Sequence, residues 1–297
     1  MNSTIIKDVK KLGASSEAIE HHYDLSNEFY QLWLDTTMTY TCAMWNQSNN
    51  DETLQIAQER KIDFHAQNIK AKGKQKVLDI GCGWGGALKR LIDVHQVKEG
   101  VGLTLSKKQL DWVNKLSHPQ IKVLLESWAD HNPDEPYDAI ISVEAFEAFA
   151  KPKLSLEEKI YVYRTFFEKC HQWLKPGGLM SLQTIAYGNT RPEDLDDFIA
   201  NDIFPESDLP RLAEIAEAIE CLFEIITLQN DRYDYVRTLK QWRSRLRNNR
   251  EAAIELVGEE EVIKFERYLR LSAYMFETGN CDLHRIAFRR IDNPRQS

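Results

Sequence analysis

Two stretches of this chain carry residues whose types and spacing could do chemistry. The first is Val77-Leu78-Asp79-Ile80-Gly81-Cys82-Gly83-Trp84-Gly85-Gly86, followed by the apolar-periodic Ala87-Leu88-Lys89-Arg90-Leu91-Ile92. Strand, glycine-rich turn and helix together cradle nucleotides. Glycine lets the backbone pass close to a ligand with no Cβ in the way, and a helix N-terminus offers unpaired N–H groups. The absence of Gly-Lys-Ser/Thr excludes a P-loop, while the glycine spacing alone fits either a dinucleotide turn or a plain tight turn. Gly100-Val101-Gly102-Leu103-Thr104-Leu105-Ser106 follows about twenty residues later, where a nucleoside-binding fold places its ribose contact. The second stretch is Glu144-Ala145-Phe146-Glu147-Ala148-Phe149, directly after the apolar run Tyr137 to Val143. A carboxyl group in apolar surroundings has a raised pKa and suits proton abstraction. Glu147 is the candidate base, Glu144 is its rival, and the alternative for Glu147 is an ordinary helix N-terminal carboxylate.

Such groups need a scaffold, and the chain punctuates itself accordingly. From about 76 to 185 candidate strands alternate with helices, the pattern of an α/β protein with a parallel doubly wound sheet. Leu154 to Leu174 reads as an amphipathic helix ended by Pro176-Gly177-Gly178 and followed by a strand. Upstream, residues 21–45 hold Tyr23, Phe29, Tyr30, Trp33, Tyr40 and Trp45 and read as a helical cap packed on the core. Ser15-Ser16-Glu17 could cap a first helix, and residues 51–71 read as another. The acidic, proline-containing stretch after Ile185 is interrupted by Phe198, Ile199, Ile203 and Phe204, which predicts an ordered lid. A strand over Ile219 to Gln229, helices over Thr238 to Ala253 and Glu259 to Tyr274, and a strand over Leu283 to Arg290 complete the reading.

Composition narrows the function. The 297 residues allow one large or two small domains, and 42% hydrophobic content suffices for a core. A net charge of −8 argues against nucleic acid and against adhesion to anionic lipid. Lys240, Arg243, Arg247 and Arg250 do share one helical face. Ion pairing with the acidic stretch 193–208, or with Glu251 and Glu255, is the expectation, and an anion-docking strip the alternative. No apolar run reaches the roughly 18 residues of a membrane span, and Met1 to Lys7 lacks the apolar core of a signal peptide. The five scattered cysteines suggest reduced thiols and a cytoplasmic location, and the eight histidines form no metal triad, so no metal is expected.

Taken together, the motifs resemble class I S-adenosylmethionine-dependent methyltransferases, specifically the cyclopropane fatty acid synthase and mycolic acid cyclopropane synthase family. The resemblance rests on His22 to Tyr30, Met38 to Ala43, Leu78 to Gly85, Gly102 to Gln109, Ala145-Phe146-Glu147, Phe204-Pro205 and Tyr235 to Leu239, in the family's order along almost the whole chain. It implies a class I methyltransferase (Rossmann-like) sheet flanked by helices. Residues 1–75 would form an N-terminal cap over the active site. Residues 76–297 would form the cofactor-binding core, with a lid insertion at about 187–218. S-adenosylmethionine would bind through Tyr40, Asp79, Gly81, Gly83, Thr104, Leu105, Gln109 and Trp128, leaving S-adenosylhomocysteine as product.

The family holds a bicarbonate ion as base in a cradle resembling Cys42, Glu147 and Tyr235 together with a histidine in His-Thr-Ile. This chain has Gln183-Thr184-Ile185 there, and Phe146-Glu147-Ala148 where the family shows Phe-Glu-His. Gln can hydrogen-bond but cannot titrate near neutrality. The implied function is therefore methyl transfer to nitrogen or carbon of an apolar small molecule. Glu147 and Tyr235 would be catalytic, and Tyr23, Cys42 and Gln183 would lie in the substrate or anion pocket. Coclaurine-type N-methyltransferases, which act on amines, resemble the same family. The alternatives are a cyclopropane synthase or methyltransferase acting on acyl chains of lipids, and a non-catalytic binding protein.

Overall fold

The computed structural model describes residues 12–13, 25–49, 51–194 and 198–293, without the side chains of residues 200 and 201. Tyr23, His22 and the Ser15-Ser16-Glu17 cap lie outside the described residues. At the centre is a seven-stranded sheet of order β3-β2-β1-β4-β5-β7-β6. Its strands are β1 (Lys76–Ile80), β2 (Glu99–Thr104), β3 (Ile121–Leu125), β4 (Tyr137–Val143), β5 (Leu174–Tyr187), β6 (Phe223–Asn230) and β7 (Cys281–Arg290). Strands β1 to β5 are mutually parallel, and β7 runs antiparallel to both β5 and β6. The parallel reading of about 76 to 185 holds for β1 to β5, and β7, beyond it, is antiparallel for a topological reason. Three helices stand between the end of β6 and the start of β7, and Cys281 at that start pairs with Tyr187 at the end of β5. The last strand therefore enters the sheet from the edge that carries the strand ends and runs back down.

The helices are α1 (Asn27–Gln31), α2 (Leu54–Asn68), α3 (Gly86–Asp93), α4 (Lys107–Lys115), α5 (Leu156–Trp173), α6 (Leu212–Ala218), α7 (Arg232–Asn248), α8 (Arg250–Val257) and α9 (Glu259–Glu277). Local chemistry sets several of their starts. At α5, Ser155 and Glu158 form a reciprocal capping box, and the helix buries Val162, Tyr163, Phe166, Phe167 and Cys170 against the sheet. At α4, the Ser106 hydroxyl accepts from the Gln109 N–H at 3.3 Å. Strand β5 begins at Leu174, so Pro176-Gly177-Gly178 lies within it, where its register with β4 shifts. The Thr238 to Ala253 helix of the sequence reading divides between α7 and α8, with Asn249 between them.

Two large cores flank the sheet. One packs the sheet against α5 and α6. The other joins Phe29, Tyr30, Trp33 and Trp45 to Trp242, Phe265 and Phe276 of α7 and α9, so the aromatic N-terminal segment packs mainly on the C-terminal helices. Ring pairs such as Phe29–Phe265, with centroids 5.1 Å apart, and Trp33–Trp242, at 5.8 Å, hold that contact. Among the described residues no helix is long and apolar enough to cross a membrane. On α7 and α8, Lys240 pairs with Glu277, and Arg250 with Glu259 and Glu266. Two of the four basic residues are thus ion-paired, with partners on α9 and not on the expected acidic stretch or Glu251 and Glu255.

Candidate active site

A cavity of about 310 Å³ opens at the carboxyl ends of β1, β2, β4 and β5. This is where α/β sheets place ligands. It joins two groups of residues.

The first group comes from the β1 turn. Asp79, Gly81, Gly83, Thr104, Leu105, Gln109 and Trp128 all line the cavity. Gly83 has φ +53°, and a Cβ built there would meet no atom within 4 Å, so the backbone faces open cavity. Gly81 has φ +82°, and a Cβ there would lie 2.4 Å from the Ala145 Cβ, which fixes glycine by close approach. The Thr104 hydroxyl donates to Gln109 Oε1 at 2.7 Å, which sets the amide's orientation. Trp128 packs on Phe149 and Phe166, and its Nε1 is buried with no partner among the described residues. Both readings of Trp128, core and cavity wall, describe it. Asp79 is 2% exposed, its carboxyl group makes no hydrogen bond among the described residues, and burial pushes that carboxyl up to about 7. An orphaned carboxylate, a backbone cradle free of Cβ atoms and an aromatic wall fit the amino-acid, ribose and adenine parts of S-adenosylmethionine. The N-terminal segment closes this side. Trp84 Nε1 donates to Asn27 Oδ1 at 2.9 Å, and Tyr40 lines the cavity with its hydroxyl donating to Tyr268.

The second group is assembled from four distant segments. The donors expected around Glu147 converge on Glu144. Its Oε1 accepts from the Cys42 N–H at 2.8 Å and from Gln183 Nε2 at 2.6 Å, and its Oε2 accepts from the Tyr235 hydroxyl at 2.6 Å. Glu144 holds a backbone φ of +52°, a left-handed conformation costly for a side-chain-bearing residue and typical of strained functional positions. Burial raises its pKa, while the three hydrogen bonds, Tyr235 first, pull it back. Glu147 is held differently. Its Oε1 accepts from the Thr184 hydroxyl at 2.9 Å and from the Ile185 N–H, while Oε2 is buried without a partner among the described residues. Burial, and then the charge of Glu144, push Glu147 up to about 8.

Behind this pair stand residues that sequence reasoning passed over. Arg285 of β7, fully buried, donates from Nε to Gln183 Oε1 at 2.8 Å and from Nη2 to the Ala43 carbonyl at 2.9 Å, and it pairs with Asp231 and Asp234. A guanidinium only donates, so it forces the Gln183 oxygen toward itself and the Gln183 N–H groups toward Glu144. His65 of α2 lies 3.2 Å from the same Gln183 oxygen through Nε2 and 2.8 Å from Ser181 Oγ through Nδ1. Burial, then the charges of Lys61 and Arg285, push it down to about 3, so it stays neutral. An imidazole is thus present beside Gln183, supplied by another element. Its sequence signal was the i, i+4 spacing of Lys61 and His65 on one helix face. Cys42 is fully buried, and burial holds its thiol well above the ordinary value, which suits packing and not nucleophilic attack.

The chain matches the family of mycolic acid cyclopropane synthetase over residues 10–286. Cyclopropane mycolic acid synthase 3 of Mycobacterium tuberculosis is 35% identical to it over 283 residues, spanning 89% of this chain and 94% of that protein. The structure of the cyclopropane synthase MmaA2 from Mycobacterium tuberculosis aligns with a TM-score of 0.84 at 33% identity, covering 94% of this chain and 99% of the other. Mycolic acid cyclopropane synthase CmaA1, solved in complex with SAH and CTAB, aligns with a TM-score of 0.83 at 33% identity, again covering 94% and 99%. With the cavity at the strand ends and the Asp79–Gly83 turn beside it, these matches establish that the chain belongs to the mycolic acid cyclopropane synthetase family and is an S-adenosylmethionine-dependent methyltransferase.

Proposed function

We propose that this enzyme methylates nitrogen or carbon of an apolar acceptor, with Glu144 as a base built into the chain. The observation that supports this reading is the set of donors on Glu144. The resemblance implies a bicarbonate cradle of Cys42, Glu147, Tyr235 and a histidine where this chain has Gln183, and here a protein carboxylate takes donors from Cys42, Tyr235 and Gln183. Three donors favour its ionised form. Glu147, pushed up to about 8, keeps a proton at neutral pH and presents an Oε2 with no partner among the described residues. Burial raises both carboxyl groups, but only Glu144 has donors on both oxygens, and that difference in hydrogen bonding divides the pair into base and acid. Glu147 therefore serves as hydrogen-bond donor to the acceptor, and Tyr235 holds the base.

The donor site comprises Asp79, Gly81, Gly83, Thr104, Leu105, Gln109 and Trp128, with Tyr40 from the cap. When bound, S-adenosylmethionine supplies an already activated methyl group. The chain's own part is to orient the acceptor, exclude water and receive a proton. Residues before 76 and the lid at about 187–218 close the cavity; Phe204 and Leu209 from the lid line it. Its aromatic wall of Tyr40, Tyr235 and Tyr268 beside an ionised carboxylate suits positive charge at the reacting centre. An amine acceptor arrives as an ammonium and yields its proton to Glu144. At a carbon acceptor, Glu144 takes the proton lost from the methylated centre. The second reading, an unsaturated acyl chain of a lipid, is favoured by the lipid substrates named for the relatives and by the apolar wall of Ile199, Ile203, Leu239 and Met275. We place the enzyme in the cytoplasm because its five cysteines are free thiols.

The test uses isotopically labelled donor with a panel of apolar amines and with vesicles of unsaturated phospholipid. Bicarbonate added at fixed pH should leave the rate unchanged. Glu144→Gly, which the positive φ accommodates, should lose activity and regain part of it with added bicarbonate. Stimulation of the unmodified enzyme by bicarbonate would refute the internal base and promote lipid cyclopropanation.

A further inference from the structure

Helix α2 carries a lysine into the cavity that none of the steps above uses. Lys61 is 2% exposed and lines the cavity wall. Its Nζ donates to Thr41 Oγ1 at 2.7 Å, and no carboxylate lies within 4 Å of it among the described residues. Burial pushes its ammonium down to about 8. A buried cation with one neutral partner is costly, and native proteins pair such charges or leave them for a ligand. Thr41 ties Lys61 to the donor side of the cavity. The same short segment lies over the β1 turn, where a Cβ at Gly86 would fall 2.7 Å from the Thr37 carbonyl oxygen and 3.2 Å from Thr39 Oγ1.

Asp79 lines the same cavity and its carboxyl group makes no hydrogen bond among the described residues, while the charges that hold the Lys61 ammonium up are those of Glu144 and then Asp35. Lys61 is the one charged group whose field lowers the Asp79 carboxyl, yet the two do not form an ion pair. A cation and an anion that line one cavity without meeting are complementary to a zwitterion. An α-amino acid end presents a carboxylate to one and an ammonium to the other while adding no net charge to a buried site.

We propose that Lys61, steadied by Thr41, receives the carboxylate of the amino-acid end of the methyl donor. The assignment rests on the reading of the Asp79–Gly83 turn as the donor site. It makes Lys61 a determinant of donor selectivity: nucleosides without a carboxylate gain nothing from it.

Calorimetric titration of the full chain tests this without turnover. The probes are S-adenosylhomocysteine, its decarboxylated analogue and 5′-methylthioadenosine, which lacks the whole amino-acid end. The unmodified enzyme should bind S-adenosylhomocysteine about 10–100-fold more tightly than the decarboxylated analogue, the range for a hydrogen bond to a charged group. Lys61→Gln keeps a donor for Thr41 and removes the charge. It should close most of that gap and leave 5′-methylthioadenosine affinity within about threefold. Equal loss for all three ligands would reduce Lys61 to a structural role, and an unchanged gap would remove it from the donor site. An unmodified enzyme that binds none of the three would refute the donor site itself. The comparison of S-adenosylhomocysteine with its decarboxylated analogue needs no variant, so a misfolded Lys61→Gln does not rescue the proposal from equal affinities.

Discussion

The two halves of the cavity are built by different means. On the donor side, the Asp79–Gly83 turn is continuous in sequence, and much of its shape is backbone: positive φ angles, missing Cβ atoms and a strand end. On the acceptor side, the Glu144 carboxylate is held by residues 102, 39 and 91 positions away, and every contact but one is made by a side chain. The difference teaches where each half can vary. A backbone cradle tolerates side-chain change around it and fails when a glycine is lost. A side-chain cradle can exchange one proton acceptor for another while the fold stays the same, because orientation and water exclusion make up most of the protein's share in methyl transfer.

The sharpest way to break this comparison is Glu144→Gln. Shape and most hydrogen bonding survive, the base does not, and turnover should fall about 10²–10⁴-fold. Affinity for S-adenosylhomocysteine, measured by calorimetry, should stay within a few-fold. Turnover near that of the unmodified enzyme would return the role to Glu147. Gly83→Val is the converse. The strain of a branched residue at φ +53° and its Cβ in the cavity should weaken S-adenosylhomocysteine binding by at least about tenfold, with the thermal transition still cooperative. Unchanged affinity in the folded variant would show that the ligand does not approach that backbone.

A smaller effect sharpens the acid side. Glu147, folded at about 8 and well above the ordinary carboxyl value, holds a proton that the unfolded chain lacks between roughly pH 4.5 and 8. Stability should therefore fall as pH rises through that window. Turnover should fall above about pH 8 as the donor is lost. Glu147→Gln keeps the donor and should flatten both limbs, changing turnover at pH 7 only a few-fold; a turnover limb that persists above pH 8 in the variant would assign it to another group. The smallest effect lies outside the cavity. Arg243→Glu with Arg247→Glu should not alter co-sedimentation with anionic vesicles, which should stay at the level of neutral lipid. Salt-sensitive binding lost in the double variant would turn this face into a lipid-docking surface and favour the acyl-chain acceptor.

The same contrast explains what could be read from the sequence. The glycine turn, the strand before it and the helix after it are local signals, and the structure places them together. Strand β3 gave no such signal: Ile121-Lys122-Val123-Leu124-Leu125 sits at the sheet edge, only partly buried, and lacks clean alternation. The aromatic segment announced that it packs but not on what, because Trp242 and Phe265 lie more than 200 residues away. Glu144 stood beside Glu147 as an equal in composition. Only the left-handed backbone at 144 and three long-range donors separate them. Arg285 looked like one more alternating strand residue, since its burial depends on acidic partners from the start of α7.

Strand β7 has a consequence for how the enzyme comes into being. Synthesis delivers the turn at residues 79–83 long before Arg285, which orients Gln183 toward Glu144. Those late contacts are long-range, and long-range pairings in a sheet form slowly. A nascent chain can thus shape the 79–83 turn well before the other half of the cavity is set, and the proposed base Glu144 is aimed only when β7 docks between β5 and β6. The two halves of the cavity therefore differ in when they can form as well as in how they are built.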